Sequence, residues 1–260
     1  MRRIALIAAM ALFATAATAW AVTNTLTYSA TLKKAGSKAP TAKAPVNTGY
    51  NALLHIDTDP SGTQPDIAPV TTVFFAKEIK QNAKTWPGCK MAEIDGQTEF
   101  PSKCNKAIVG SGTATAYAGS PGSPVANSVK EDLTVKAVNE TGGKQILLVL
   151  TSAPGAPVAI NNRVVPGTLG SASGVYAYKV AFKIPEDLQN QLGLSIALAD
   201  FKVNISNKAQ TIKVKGKPVK ASYLQLTACK GGKVPVKAVA TFKDANGATS
   251  DVTSESTAKC

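Results

Sequence analysis

Apolar and polar residues alternate along most of this chain. Leu26, Tyr28, Ala30 and Leu32 share one side of an extended segment, and Thr25, Thr27, Ser29 and Thr31 share the other. Tyr50, Ala52, Leu54 and Ile56 repeat the pattern, as do Leu133, Val135 and Ala137. Its cleanest instance sets Tyr176, Tyr178, Val180, Phe182 and Ile184 against Ala177, Lys179, Ala181 and Lys183. A period of two belongs to half-buried β-strands. Residues 145–150 are instead nearly all apolar, as in a central strand covered on both faces. Segments 129–138 and 145–151 flank Thr141-Gly142-Gly143, and segments 234–242 and 248–256 flank Ala245-Asn246-Gly247, so each pair predicts a hairpin.

Helix signals are few. Pro185-Glu186-Asp187 ahead of Leu188 and Leu192, stopped by Gly193, predicts a two-turn helix, and residues 91–94 predict one further turn. With about ten to twelve strands joined by Gly, Pro and Ser loops, the expectation is an all-β chain, an antiparallel β-sandwich with one or two short helices. Residues 22–260 read as a single large sandwich. The Gly-Ser-Pro stretch at 119–124 allows two smaller sandwiches splitting near 125.

The first 21 residues break this pattern. Met1-Arg2-Arg3 precedes an apolar run and then the small-residue site Ala19-Trp20-Ala21, the plan of a signal peptide cleaved after Ala21. The expectation is a secreted, extracellular protein whose mature part has no transmembrane segment. Cys89, Cys104, Cys229 and Cys260 all follow the leader, and an even count in that context points to disulfides. Of the three possible pairings, Cys89–Cys104 with Cys229–Cys260 closes the most local loops, which the chain-entropy model values at roughly 3 to 4 kcal/mol each. No metal site is expected, since there is no C-x-x-C and the single His, His55, is distant from every Cys.

Catalytic motifs are sparse, and no cofactor is expected. His55 shares a strand face with Asn51 and Asp57, yet no G-x-S-x-G elbow accompanies it. Ser256-Thr257-Ala258-Lys259 matches S-x-x-K in letters, but a strand points the two side chains apart and the companion motifs are missing. Asp57, Asp59 and Ser61, ahead of Gly62, open like a calcium loop whose twelfth position is Ala68 instead of an acid. Gly110-Ser111-Gly112-Thr113 lacks the Lys and the helix of a phosphate loop, so its glycines are read as backbone freedom at a strand start. A hydrolase with paired carboxylates is the enzymatic alternative, its residues not identifiable from sequence.

Charge then changes the picture. The formal charge is +13, but Arg2 and Arg3 belong to the leader, and ten lysines fall between residues 201 and 243 with no acid among them. Lys208, Lys213, Lys215, Lys217, Lys220, Lys230, Lys233 and Lys237 are the candidate polyanion contacts. Lys213, Lys215 and Lys217 would share one strand face. The partners such a region fits are anionic cell-wall polymers or lipid headgroups. Nucleic acid fits poorly, because Arg163 is the only Arg after the leader.

Trp86-Pro87-Gly88-Cys89, followed by Cys104-Asn105-Lys106-Ala107-Ile108-Val109-Gly110-Ser111-Gly112-Thr113-Ala114, resembles a pattern in uncharacterised exported proteins of high-GC Gram-positive bacteria. Asp59-Pro60-Ser61-Gly62, Gly231-Gly232-Lys233 after Cys229, and the terminal Cys260 are similar as well. Those proteins often carry Cys-Pro where this chain has Cys104-Asn105. The resemblance implies export, β-structure and disulfides, and it carries over no catalytic residue. The function expected from the sequence is thus a secreted, non-enzymatic, envelope-associated or polyanion-binding protein.

Overall fold

The computed structural model describes residues 22–260 except Leu192 and Lys215, so the expected signal peptide lies outside the described residues. Sixteen strands follow in chain order: β1 (Thr23–Lys34), β2 (Val46–Asp59), β3 (Ile67–Ala76), β4 (Ile79–Gln81), β5 (Ile108–Gly119), β6 (Val129–Asn139), β7 (Gln145–Ser152), β8 (Arg163–Ser171), β9 (Tyr176–Lys183), β10 (Asn190–Gln191), β11 (Leu194–Ile205), β12 (Gln210–Val214), β13 (Lys217–Ala221), β14 (Leu224–Leu226), β15 (Lys233–Lys243) and β16 (Thr249–Lys259). The helix expected after Pro185 is a single turn, α1 (Glu186–Gln189), because the chain turns into β10 at Asn190. The turn expected near Met91 is a 3-10 helix over Met91–Glu93.

The chain is all-β, but it is a barrel and not a sandwich. Eleven strands close into a ring in the order β1-β2-β11-β5-β6-β7-β8-β9-β3-β15-β16. Alternating burial is the same in a sandwich and in a barrel, so the alternation could not separate them. What decides is that β2, after pairing with β1, also pairs with β11 through Asp200↔His55 to Ile205↔Tyr50, which leaves no gap between two sheets. Strands from both sides of residue 125 share this ring.

An odd number of strands cannot alternate direction all the way round, so one neighbouring pair must be parallel. That pair is β1 with β16, bridged at Thr31↔Lys259. Hydroxyl groups complete the seam: the Tyr28 N–H donates to Ser254 Oγ at 2.9 Å, and Ser256 Oγ–H donates to the Tyr28 carbonyl at 2.9 Å. Cys229–Cys260 anchors the end of β16, and Cys89–Cys104 closes a loop on the outside of the barrel.

Inward positions are apolar and outward ones largely polar, the reverse of a barrel that faces lipid. On β15, Val234, Val236, Ala238, Ala240 and Phe242 are all buried. β7 has both faces covered: Ile146 and Leu148 face the barrel core, while Leu147 and Val149 pack outside against Cys89, Ile94, Cys104 and Ala107. The two glycines of Gly110-Ser111-Gly112 let β5 approach β11. A Cβ on Gly112 would fall on the Lys202 carbonyl oxygen, and one on Gly110 on that of Asn204.

Close backbone approach at such a corner is how a sheet curls into a barrel. Gly112→Ala is expected to cost roughly 1–3 kcal/mol in urea unfolding, the range for overpacking a filled site. Gly170→Ala, whose Cβ would meet nothing nearer than 3.8 Å, is the matched control and should leave the midpoint close to wild type.

Candidate functional site

Ring closure gives the barrel a lumen. It holds a cavity of about 190 Å³ walled by side chains such as Leu54, Val73, Leu133, Leu148, Val180 and Phe201. A cavity of about 150 Å³ with comparable walls stays dry and admits benzene.

One end of the lumen is aromatic. The hydroxyls of Tyr28 and Tyr50 share a hydrogen bond of 2.6 Å, and Phe75 stacks on Tyr178 with centroids 4.8 Å apart. Burial pushes the Tyr28 and Tyr178 hydroxyls well above the usual phenol range, so both stay protonated. The Tyr178 hydroxyl has no hydrogen-bond partner among the described residues. Beyond these rings the end is plugged by the segment around Trp86, which meets Tyr223 edge-on at 5.7 Å. Buried Asn139 ties the plug down: its amide donates to the carbonyls of Ala83, Trp86 and Pro87, and it accepts from the Tyr223 hydroxyl.

The other end carries a single acid among the described residues. Glu131 alternates inward with Leu133, Val135 and Ala137 on β6, is 6% exposed and lines the cavity. Both of its carboxyl oxygens are buried without a hydrogen-bond partner among the described residues. Taking a carboxylate out of water costs several kcal/mol unless something pairs with it. The adjacent Lys130 cannot do so, because it points outward and binds Asp132 at 2.8 Å. By register Glu131 lies two residues beyond the Leu133↔Ser152 pair, where β7 ends, whereas Tyr178 is opposite Ser171, where β8 ends. The carboxyl and the unpaired phenol therefore stand toward opposite ends of the lumen.

Val129 also lines the cavity yet remains 37% exposed, which marks a mouth two residues from Glu131. Leu188 of α1 covers part of that mouth. Arg163 holds the helix there through two 2.9 Å bonds to Asp187, and it also pairs with Asp95.

The residues singled out in the sequence lie outside the lumen. Lys213 and Lys217 do not share one strand, since the chain reverses between β12 and β13 and Lys215 lies outside the described residues. On that hairpin Lys213 (opposite Pro218) and Lys220 (opposite Thr211) share a face, while Lys217 (opposite Val214) is on the other. Lys208, Lys230 and Lys233 are exposed elsewhere. Lys237 is half-buried, paired with Glu255 at 3.0 Å and placed over the Phe74 ring. Ser256 is engaged in the barrel seam, so it does not meet Lys259 as a nucleophile and base would. Asp57 binds His55 rather than opening toward a cation, and Thr58 holds the following turn through the carbonyls of Pro60 and Thr63.

Among the described residues, Cys89, Glu93 and Cys104 are the group spaced as metal ligands, but both sulfurs are taken by the disulfide. No protein-family model, no curated protein and no solved structure matches this chain.

His55 sits on the barrel exterior between two carboxylates, Asp200 at 2.8 Å and Asp57 at 3.1 Å. The Asp200 hydrogen bond raises the imidazole pKa above its ordinary 6.5. A raised folded-state pKa means the cluster's stabilisation is fully present below pH 6.5 and is lost as pH rises through the higher folded midpoint. An NMR titration of the His55 ring should give a midpoint above 6.5 that moves down in Asp200→Asn.

Proposed function

We propose that this chain is an exported, non-enzymatic binding barrel that holds a small apolar molecule in its lumen. The observation that carries this reading is the cavity of about 190 Å³ inside a closed ring of strands, with a mouth at Val129. Concave, mostly apolar sites with a few convergent polar groups are where small molecules bind. The export part rests on the leader-like first 21 residues and on the two disulfides, which persist in oxidising compartments. A hydrolase would need a second carboxyl beside Glu131, and no other acid lines the cavity among the described residues.

Toluene is a suitable probe of the lumen. Titrated into the protein, it should produce saturable shifts in the methyl NMR signals of Leu133, Leu148 and Val180. Ala116→Phe, which places a ring in the same space, should reduce those shifts strongly while the fold is retained by circular dichroism. Wild-type methyl signals that do not respond to toluene would sink the reading.

A second reading concerns the exterior. Lys208, Lys213, Lys217, Lys220, Lys230 and Lys233 are exposed, and none forms an ion pair among the described residues. Such lysines favour contact with phosphate-rich polymers or headgroups of the cell envelope. Sedimentation with phosphatidylglycerol vesicles, and separately with a phosphate-rich wall polymer, should show binding at low salt. That binding should fall about tenfold by 0.5 M salt, as screening requires. The double variant Lys213→Glu, Lys220→Glu should weaken it further. Binding indifferent to both changes would rule this contact out.

A further inference from the structure

Besides the Tyr178 hydroxyl, the lumen contains a carboxyl group that an apolar ligand alone does not explain. Glu131 is more than nine-tenths buried, lines the cavity, and has neither carboxyl oxygen hydrogen-bonded among the described residues. Three flanking donors are engaged elsewhere. Lys130 is bound to Asp132 outside the barrel, and Thr115 Oγ1 also donates to Asp132. Ser128, the nearest hydroxyl residue upstream, donates to Gln64, whose amide is in turn held by the Gly119 and Ser195 carbonyls. On β6 the acid is followed inward by Leu133, Val135 and Ala137, and across β5 it faces the paired Ala116. A carboxyl in such surroundings is open to a donor from outside the chain, and the adjacent mouth at Val129 gives one a way in.

We propose that the barrel's ligand is a small apolar amine, whose ammonium group pairs with Glu131 while its hydrocarbon part fills the lumen beyond. An ammonium is favoured over a hydroxyl donor because it brings both the missing charge and several N–H groups, so both carboxyl oxygens are satisfied at once. A bare metal ion is disfavoured, because one carboxyl among apolar side chains offers too few oxygen ligands. A quaternary ammonium is disfavoured as well, since it has no N–H to donate. The orientation follows from the two ends of the lumen: the charged group stays at the Glu131 mouth, and an aromatic or alkyl body extends toward Phe75 and Tyr178.

This inference rests on the lumen being a binding site, so its test keeps the two apart. Toluene and benzylamine have nearly the same shape and differ by the amine. Both are titrated into wild-type protein and into Glu131→Gln, with methyl NMR as the readout. Wild type should bind benzylamine at least tenfold more tightly than toluene. Glu131→Gln should lose that preference while binding toluene as before. Toluene that fails to enter wild type overturns the lumen reading itself. Toluene that enters, with benzylamine binding no better or unaffected by Glu131→Gln, overturns the amine proposal alone.

A second measurement needs no variant. The Glu131 side-chain carboxyl 13C resonance should move on adding benzylamine and stay still on adding benzyl alcohol. A carboxyl signal that responds equally to both also overturns the proposal.

Discussion

Everything inside this molecule depends on how β1 meets β16. Ten of the eleven junctions in the ring are antiparallel ladders, and the eleventh is the parallel seam that an odd strand number demands. It has one backbone bridge, with the Ser254 and Ser256 hydroxyls supplying the bonds that the ladder lacks at Tyr28. Without this junction the inward residues of β1 and β16 would face water, and the cavity would be a groove on an open sheet. The Cys229–Cys260 bond acts on the same junction, because it fixes the end of the strand that closes the ring.

The alternation of residue types carried most of the architecture. It separated the side of β1 bearing Leu26, Tyr28 and Ala30 from the side bearing Thr25, Thr27 and Ser29, and it marked β7 as covered on both faces. It could not state whether the strands close, since a two-layer core and a lumen give identical periodicities. The closure signal was local and easily taken for simple backbone freedom. Gly110 and Gly112 sit at inward positions because a Cβ there would meet the carbonyls of β11.

The candidate site was less legible than the fold, for a related reason. The inward parity of Leu133, Val135 and Ala137 extends back two residues to Glu131, and an acid at that position in a buried row is a readable exception. What the sequence did not carry was the absence of a partner, since Lys130 and Lys136 are close in the chain and only the structure places Lys130 on Asp132. The lysine-rich stretch misled in a different way. Even spacing at residues 213, 215 and 217 suggests one strand, but Gly216 adopts a left-handed φ of 79° and reverses the chain between them. Physical inconsistency within a level, here a lone acid in an apolar row, proved more informative than the accumulation of one charge.

The seam also sets when an enclosed interior can exist. Its two edges come from residues 23–34 and 249–259, close to the opposite limits of the described chain, so the enclosing contacts are among the longest-range in the fold. Pairings of that sequence separation carry a large loop-closure cost and slow folding. Until β16 lies against β1 the chain is therefore an open curl with no interior. The lumen is consequently the last part of this fold to come into being, and nothing can be enclosed in it before the whole ring is made.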